Sequence, residues 1–124
     1  MRQAMRILVG LLGLFNLAIG LAFLLAPADP AAAFFIAPIG LQGLATIRAD
    51  FSGFFIGAAL FALLGAWRAE AAPLNVPLLM LGIAFLGRCI SLMMDGMAPT
   101  AVPPMVAEAV MIAILLLAKW AFRP

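Results

Sequence analysis

The sequence contains no histidine, no tyrosine and a single cysteine, Cys89. Without histidine, the chain lacks the usual imidazole ligands of haem, zinc and copper, as well as the commonest general base. One cysteine excludes an internal disulfide or a cluster of thiolate ligands. We therefore expect no metal and no cofactor. The alternative is a soft-metal site for Cu(I) at Cys89, Met93 and Met97, but methionine is also a routine apolar residue of membrane helices.

Charge is scarce too, since only 10% of the 124 residues are charged while 68% are hydrophobic. With a mean hydropathy of +1.26, this composition is typical of an integral membrane protein, and the length predicts one domain, residues 1–124. The net charge is only +2, and the few basic residues lie where membrane topology favours them. We therefore expect no nucleic-acid partner.

Four apolar segments predict four transmembrane helices, because each approaches the roughly 20 residues needed to cross about 30 Å of hydrocarbon. They are residues 7–26, 48–67, 74–94 and 102–122. The connection between the first two is too apolar for a solvated loop, and Phe34-Phe35-Ile36 lies between two prolines there. The predicted fold is an all-α bundle of four transmembrane helices, with a short interfacial or re-entrant helix between helices 1 and 2. The second helix begins at residue 48 or earlier.

Basic residues are distributed unevenly between the two sides of this bundle. The side of the termini carries Arg2, Arg6, Arg68, Lys119 and Arg123. The other side has only Arg48, with Arg88 buried below it. The positive-inside rule then predicts a multi-pass protein of the cell inner membrane with both termini in the cytoplasm. The alternative is a cleaved signal peptide ending near Ala26-Pro27-Ala28, but the apolar run is longer than the usual core of about 7–15 residues.

Arg88 interrupts the third apolar segment, where a cationic side chain at the centre of a spanning helix costs roughly 2.5–3.5 kcal/mol on insertion scales. It therefore needs a partner, a water-filled cavity or a nearby surface. The candidate partners are Glu108, Asp50 and Asp95. Two plainer alternatives remain open: Arg88 snorkels to the headgroups, or it forms an ion pair with Glu108 that has a structural role only.

The depths of the polar residues predict a pocket. At about 1.5 Å per residue, Asn16 and Glu108 lie about 15 Å from the cytoplasmic side, and Arg88 and Asp50 about 22–25 Å. Within the apolar segments no polar side chain lies closer to the cytoplasmic side, so the pocket is expected to open outward and to be closed toward the cytoplasm.

On the second helix, Gly53 and Gly57 form a small-xxx-small pattern that allows another helix to approach closely. The predicted binding residues are Asn16, Arg48, Asp50, Arg88, Ser91, Asp95 and Glu108. Asn16 has the alternative role of hydrogen-bonding helices together.

Several short motifs resemble those of a bacterial family of small four-helix membrane proteins of unknown function, similar to the DoxX-like group. They are Arg48-Ala49-Asp50-Phe51-Ser52-Gly53, Gly87-Arg88, Asp95-Gly96 and Glu108. The resemblance extends over nearly the whole chain. It implies the four-helix fold and implies that these polar residues are shared by the family, but it brings no substrate.

Three functions follow as hypotheses. The first is a pocket that binds a small amphiphilic or anionic ligand, with Arg48 and Arg88 as cationic contacts and Phe51, Phe54 and Phe85 along the apolar part. The second is a membrane enzyme acting on a lipid or isoprenoid-like substrate, with Asp50 or Glu108 as catalytic acid or base. The third is an accessory subunit that docks a membrane-protein partner, or a second copy of the chain, through its glycine faces.

Overall fold

A computed structural model describes all 124 residues of the chain. The helices are α1 (Arg2–Leu25), α2 (Ala28–Ala33), α3 (Gly40–Arg68), α4 (Asn75–Asp95) and α5 (Val102–Ala121), with a 3-10 turn at Ala72–Leu74 before α4. The predicted all-α bundle of four long apolar helices, with a short helix between the first two, is confirmed. α3 begins at Gly40 rather than 48, because no proline interrupts the chain after Pro38.

The four long helices are long and apolar enough to cross a membrane. Only 24 of the 124 residues are buried, and large apolar side chains cover the outside of the bundle. Leu11 and Leu14 of α1, Leu79 and Ile83 of α4 and Leu116 of α5 are examples. A water-soluble protein of this size rarely exposes so much contiguous apolar surface. The outer surface is therefore that of a multi-pass membrane protein.

The long helices run alternately up and down and form a ring. α1 packs against α3 and α5, and α4 packs against the same two helices. Arg6 joins the start of α1 to the end of α3, since its Nε donates to Ala66 O at 3.0 Å and its Nη2 to Trp67 O at 2.8 Å. Arg2 donates to Ala69 O at 3.2 Å and to Ala121 O at 3.4 Å. These arginines satisfy carbonyls at helix C-termini, where a cation is electrostatically favoured.

The main hydrophobic core lies at this same end of the ring, which we call the basic end because Arg2, Arg6, Arg68, Lys119 and Arg123 all lie there. Val9 of α1, Leu74 of the 3-10 turn and Leu115 of α5 are fully buried. The other members of this core are Met5, Leu12, Ala62, Ala66, Ala69, Leu81, Ala118 and Phe122. The basic end of the bundle is therefore closed by packed apolar side chains.

Glycines of α1 bring α1 and α3 into close contact. A Cβ atom added to Gly20 would lie 2.5 Å from Ile56 Cγ1, and one added to Gly13 would lie 2.8 Å from Leu63 Cγ. The predicted close approach at Gly53 and Gly57 is wrong within this chain, since no atom lies within 4 Å of a Cβ built at either position. The helix rotation turns Ile56 and Leu63 toward α1, and the two glycines of α3 face away from it.

Aromatic side chains hold α1, α2 and α3 together at the end opposite the basic end. Phe23 of α1 is fully buried, and its ring centroid lies 5.6 Å from that of Phe34, 4.9 Å from that of Phe51 and 5.8 Å from that of Phe55. Ring pairs at these distances contribute about 0.5–1.5 kcal/mol each beyond their buried area. α2 therefore folds back over α1 and α3, while α4 and α5 have no comparable cluster at this end.

Candidate functional site

The ring of helices surrounds a cavity of about 480 Å³ on the side away from the basic end. Asn16, Leu81 and Met111 are the lining residues nearest the core, so they form its floor. Leu12 and Leu115 close the bundle below that level. The lining comes from α1, α3, α4, α5 and the residue that follows α2. The lining residues are Phe15, Asn16, Ile19, Phe34, Asp50, Phe51, Phe54, Phe55, Leu81, Ala84, Arg88, Pro104, Ala107, Glu108 and Met111.

Arg88 and Glu108 form a salt bridge across the cavity wall, with Arg88 Nε 2.9 Å from Glu108 Oε1. Of the three candidate partners, Glu108 is therefore the one that Arg88 contacts. The pair is not enclosed by protein, because the Arg88 side chain is 38% exposed and that of Glu108 12% exposed. Arg88 makes no other hydrogen bond, so its two terminal nitrogens and the second oxygen of Glu108 remain available.

Asn16 lies at the floor with only 1% of its surface exposed. Its Nδ2 donates to Leu12 O at 2.9 Å and to Met111 Sδ at 3.4 Å. Its Oδ1 is buried and has no hydrogen-bond partner. The bond to the Leu12 carbonyl fixes which way the amide faces, because the flipped amide would bring two oxygens together. An unsatisfied buried acceptor costs about 1–3 kcal/mol, and the bond to Met111 joins α1 to α5, as the alternative role of Asn16 predicted.

The other predicted site residues are placed differently. Asp50 lines the cavity near its mouth and is exposed. Arg48 lies outside the cavity, because the early start of α3 brings it beside the end of α1, where its Nε donates to Leu24 O at 3.0 Å. Ser91 lines a second cavity of about 370 Å³ between α4 and α5, which shares Ala84, Arg88 and Pro104 with the first. Asp95 ends α4 and lines neither cavity.

The structure thus brings together Asn16, Asp50, Arg88 and Glu108 and separates them from Arg48, Ser91 and Asp95. Arg48 does not supply the second cationic contact that the sequence predicted. The lining carries one cationic side chain, Arg88, and two acidic ones, Glu108 and Asp50. The electrostatic balance of the lining is therefore slightly negative, with Arg88 already paired.

The remaining lining is apolar, and five of its eleven residues are phenylalanines. Phe51 and Phe54 line the cavity as predicted from the sequence, whereas Phe85 does not. Sequence reasoning missed Phe15, Phe34 and Phe55, which also line it. Phe15 directly precedes Asn16, and this adjacency was a usable signal. No signal identified Phe34, because its place depends on how α2 folds back over the bundle.

A family model described as "Domain of unknown function (DUF4345)" matches residues 4–119, which include the cavity lining and all but the outermost residues of the four long helices. No curated protein and no solved structure matches the chain.

Proposed function

The chain belongs to the DUF4345 family, a membership that assigns no activity, and from the cavity we propose that the protein binds a small amphiphilic molecule within the membrane. The observation that carries this proposal is the combination of aromatic lining residues with unused hydrogen-bonding groups at the floor and in the wall of the cavity. Asn16 Oδ1 has no partner, and Arg88 uses only its Nε. The similarity to the DoxX-like group stays a prediction and adds nothing to this argument.

The dimensions and the lining of the cavity support an amphiphilic ligand. A volume of about 480 Å³ is within the roughly 300–1,000 Å³ typical of small-molecule sites, which are mostly apolar with a few placed polar groups. The rings of Phe51, Phe54 and Phe55 form an apolar surface for the hydrocarbon part of such a ligand. Polar groups within a membrane are costly and mark functional sites by default.

Exposed lining residues indicate how such a ligand enters. Phe15 of α1 is 56% exposed, and Ala107 of α5 and Asp50 of α3 are exposed as well. Between the Asn16–Met111 contact and the end opposite the basic end, no core residue joins α1 to α5. The cavity is therefore open sideways between helices, and an amphiphile dissolved in the bilayer enters without first passing through water.

Filling the cavity tests the proposal. Ala84→Phe adds a ring to the cavity wall, so the amount of amphiphile that copurifies with the protein is expected to fall by about tenfold or more. Ala113→Phe is the matched control, because Ala113 is exposed on α5 and lines neither cavity. The measurement is native mass spectrometry and lipid analysis of the proteins purified in mild detergent. Equal occupancy in both variants would mean that the cavity is not the binding site.

We also propose that the protein lies in the cell inner membrane with both termini in the cytoplasm. The support is the cluster of five basic residues at the basic end, opposed at the other end by Arg48. A fluorescent-protein fusion at Pro124 is expected to fluoresce, and an alkaline phosphatase fusion at the same place to be inactive. The reverse result would make the cavity open toward the cytoplasm.

A second candidate function is catalysis on a lipid or isoprenoid-like substrate. It is favoured by one observation: Asp50 and Glu108, the two carboxylates that the sequence put forward as acid or base, line the same cavity. Turnover of labelled membrane lipids by the purified protein, lost in Asp50→Asn, would favour catalysis over binding alone.

A third candidate function is docking, either to a partner in a membrane-protein complex or to a second copy of the chain. It is supported by Gly53 and Gly57, which no other helix of this chain contacts.

A further inference from the structure

We infer that the ligand of the proposed cavity has a neutral head that donates hydrogen bonds, such as a hydroxyl group, and not a carboxylate or phosphate. This inference rests on the proposed function and narrows its ligand class. It depends on three groups of the lining: the unpartnered Asn16 Oδ1, the Arg88–Glu108 pair and Asp50.

Asn16 sets the requirement for a donor. Its Oδ1 only accepts hydrogen bonds, and the bond from Nδ2 to Leu12 O keeps the amide in this orientation. A carboxylate or a phosphate diester has no proton to donate, so it leaves Oδ1 unsatisfied. A hydroxyl or amide N–H satisfies it once the side chains that cover the buried Oδ1 move aside. Met111, whose sulfur accepts from Nδ2 at 3.4 Å, has the flexible unbranched side chain that can give way to such a head group.

The charges of the lining set the requirement for neutrality. Glu108 already neutralises Arg88 at 2.9 Å, and Asp50 at the mouth has no cationic partner in the structure. An anionic head therefore meets two carboxylates and one arginine that is already engaged. A hydroxyl fits the same groups without a charge penalty. It can accept a hydrogen bond from a free nitrogen of Arg88, and it can donate one to the second oxygen of Glu108 or to Asn16 Oδ1.

A cationic amine also donates, but its desolvation weighs against it. An ammonium group must give up its hydration to reach a floor formed by Asn16, Leu81 and Met111, and a charge in largely apolar surroundings is far more costly than a hydroxyl. The neutral donor is the head group that satisfies Asn16 without that cost. A monoacylglycerol has this chemistry, with hydroxyl groups on an uncharged head and one apolar chain.

Three probes with the same chain length separate these possibilities: 1-decanoylglycerol, decanoic acid and decylamine. Titration of each into the purified protein, followed by native mass spectrometry at neutral pH, gives their dissociation constants. The glycerol ester is expected to bind about tenfold more tightly than either charged probe. Tighter binding of decanoic acid or of decylamine would overturn the inference, but it would leave the proposed binding function in place. Failure of all three to bind, with no effect of Ala84→Phe, would overturn the proposed function itself.

Asn16→Leu tests the role of the orphan acceptor directly. The variant keeps a side chain of similar shape and removes Oδ1, so binding of 1-decanoylglycerol is expected to weaken about threefold to tenfold. Binding of decanoic acid is expected to stay unchanged. The thermal midpoint of the ligand-free protein is expected to stay the same or rise, because the variant removes an unsatisfied buried oxygen. A lower midpoint together with equal weakening of both probes would make Asn16 a structural residue and contradict the inference.

Discussion

Gly20→Ala is expected to lower the free energy of unfolding by about 1–3 kcal/mol, the usual cost of overpacking a tight contact. The added Cβ would lie 2.5 Å from Ile56 Cγ1 and 2.9 Å from the backbone nitrogen of Ile56. Because a backbone atom is involved, rotation of the Ile56 side chain cannot relieve the contact, and α1 and α3 must separate. Gly20→Leu is expected to prevent the two helices from packing at all. Unfolding of the purified protein in mixed detergent micelles measures the effect.

Gly10→Ala is the matched control, since it makes the same substitution in the same helix. No atom lies within 4 Å of a Cβ built at Gly10, so this change is expected to be neutral or to stabilise α1 by up to about 1 kcal/mol through helix propensity. Equal losses from Gly20→Ala and Gly10→Ala would mean that α1 and α3 do not meet at Gly20.

Glu108→Gln and Arg88→Met are each expected to destabilise the protein by about 1–3 kcal/mol. Each change leaves one charged or strongly polar group without its partner in an apolar helix bundle. The loss is expected to be smaller than the roughly 3–5 kcal/mol typical of a fully buried pair, because Arg88 is 38% exposed. The double variant is expected to recover part of the stability, since it leaves no unpaired charge behind.

A double-mutant cycle measures this coupling, with all four proteins unfolded under the same conditions. Asp95→Asn serves as the control, because Asp95 was another candidate partner of Arg88 and the structure gives it no salt bridge. It is expected to change stability little and to show no coupling with Arg88→Met. Strictly additive losses for Arg88 and Glu108 would indicate that the 2.9 Å contact contributes nothing.

Hydropathy was enough to predict the fold, because a run of about 20 apolar residues has few options other than a spanning helix. Counting residues along each helix also identified Glu108 among the partners of Arg88, since depth in a membrane follows from position in the sequence. Depth alone does not determine which way a side chain faces. Arg48 shows this limit, because it binds the end of α1 at Leu24 instead of joining the cavity.

The glycine motifs show the same limit more clearly. Both α1 and α3 carry glycines at spacings that allow close packing, but Gly13 and Gly20 contact α3 while Gly53 and Gly57 contact no other helix. Which glycines contact another helix depends on the rotation of each helix about its axis. The sequence does not determine that rotation, because the four long helices carry similar apolar residues on several faces. Phe34 depends in turn on the backbone path of α2, which no periodic pattern describes.

The closed core at the basic end has a mechanical consequence for the cavity. α4 and α5 are fastened to the other helices near Leu74, Leu81, Leu115 and Phe122, and no aromatic cluster fastens their far ends. Each of these two helices is therefore held at one end only, and a small tilt about that end displaces Arg88 and Pro104 further than it displaces the core residues. A tilt of this kind changes the width of the cavity, so under the proposed function we expect the same groups to bind ligands of different girth without unpacking the core.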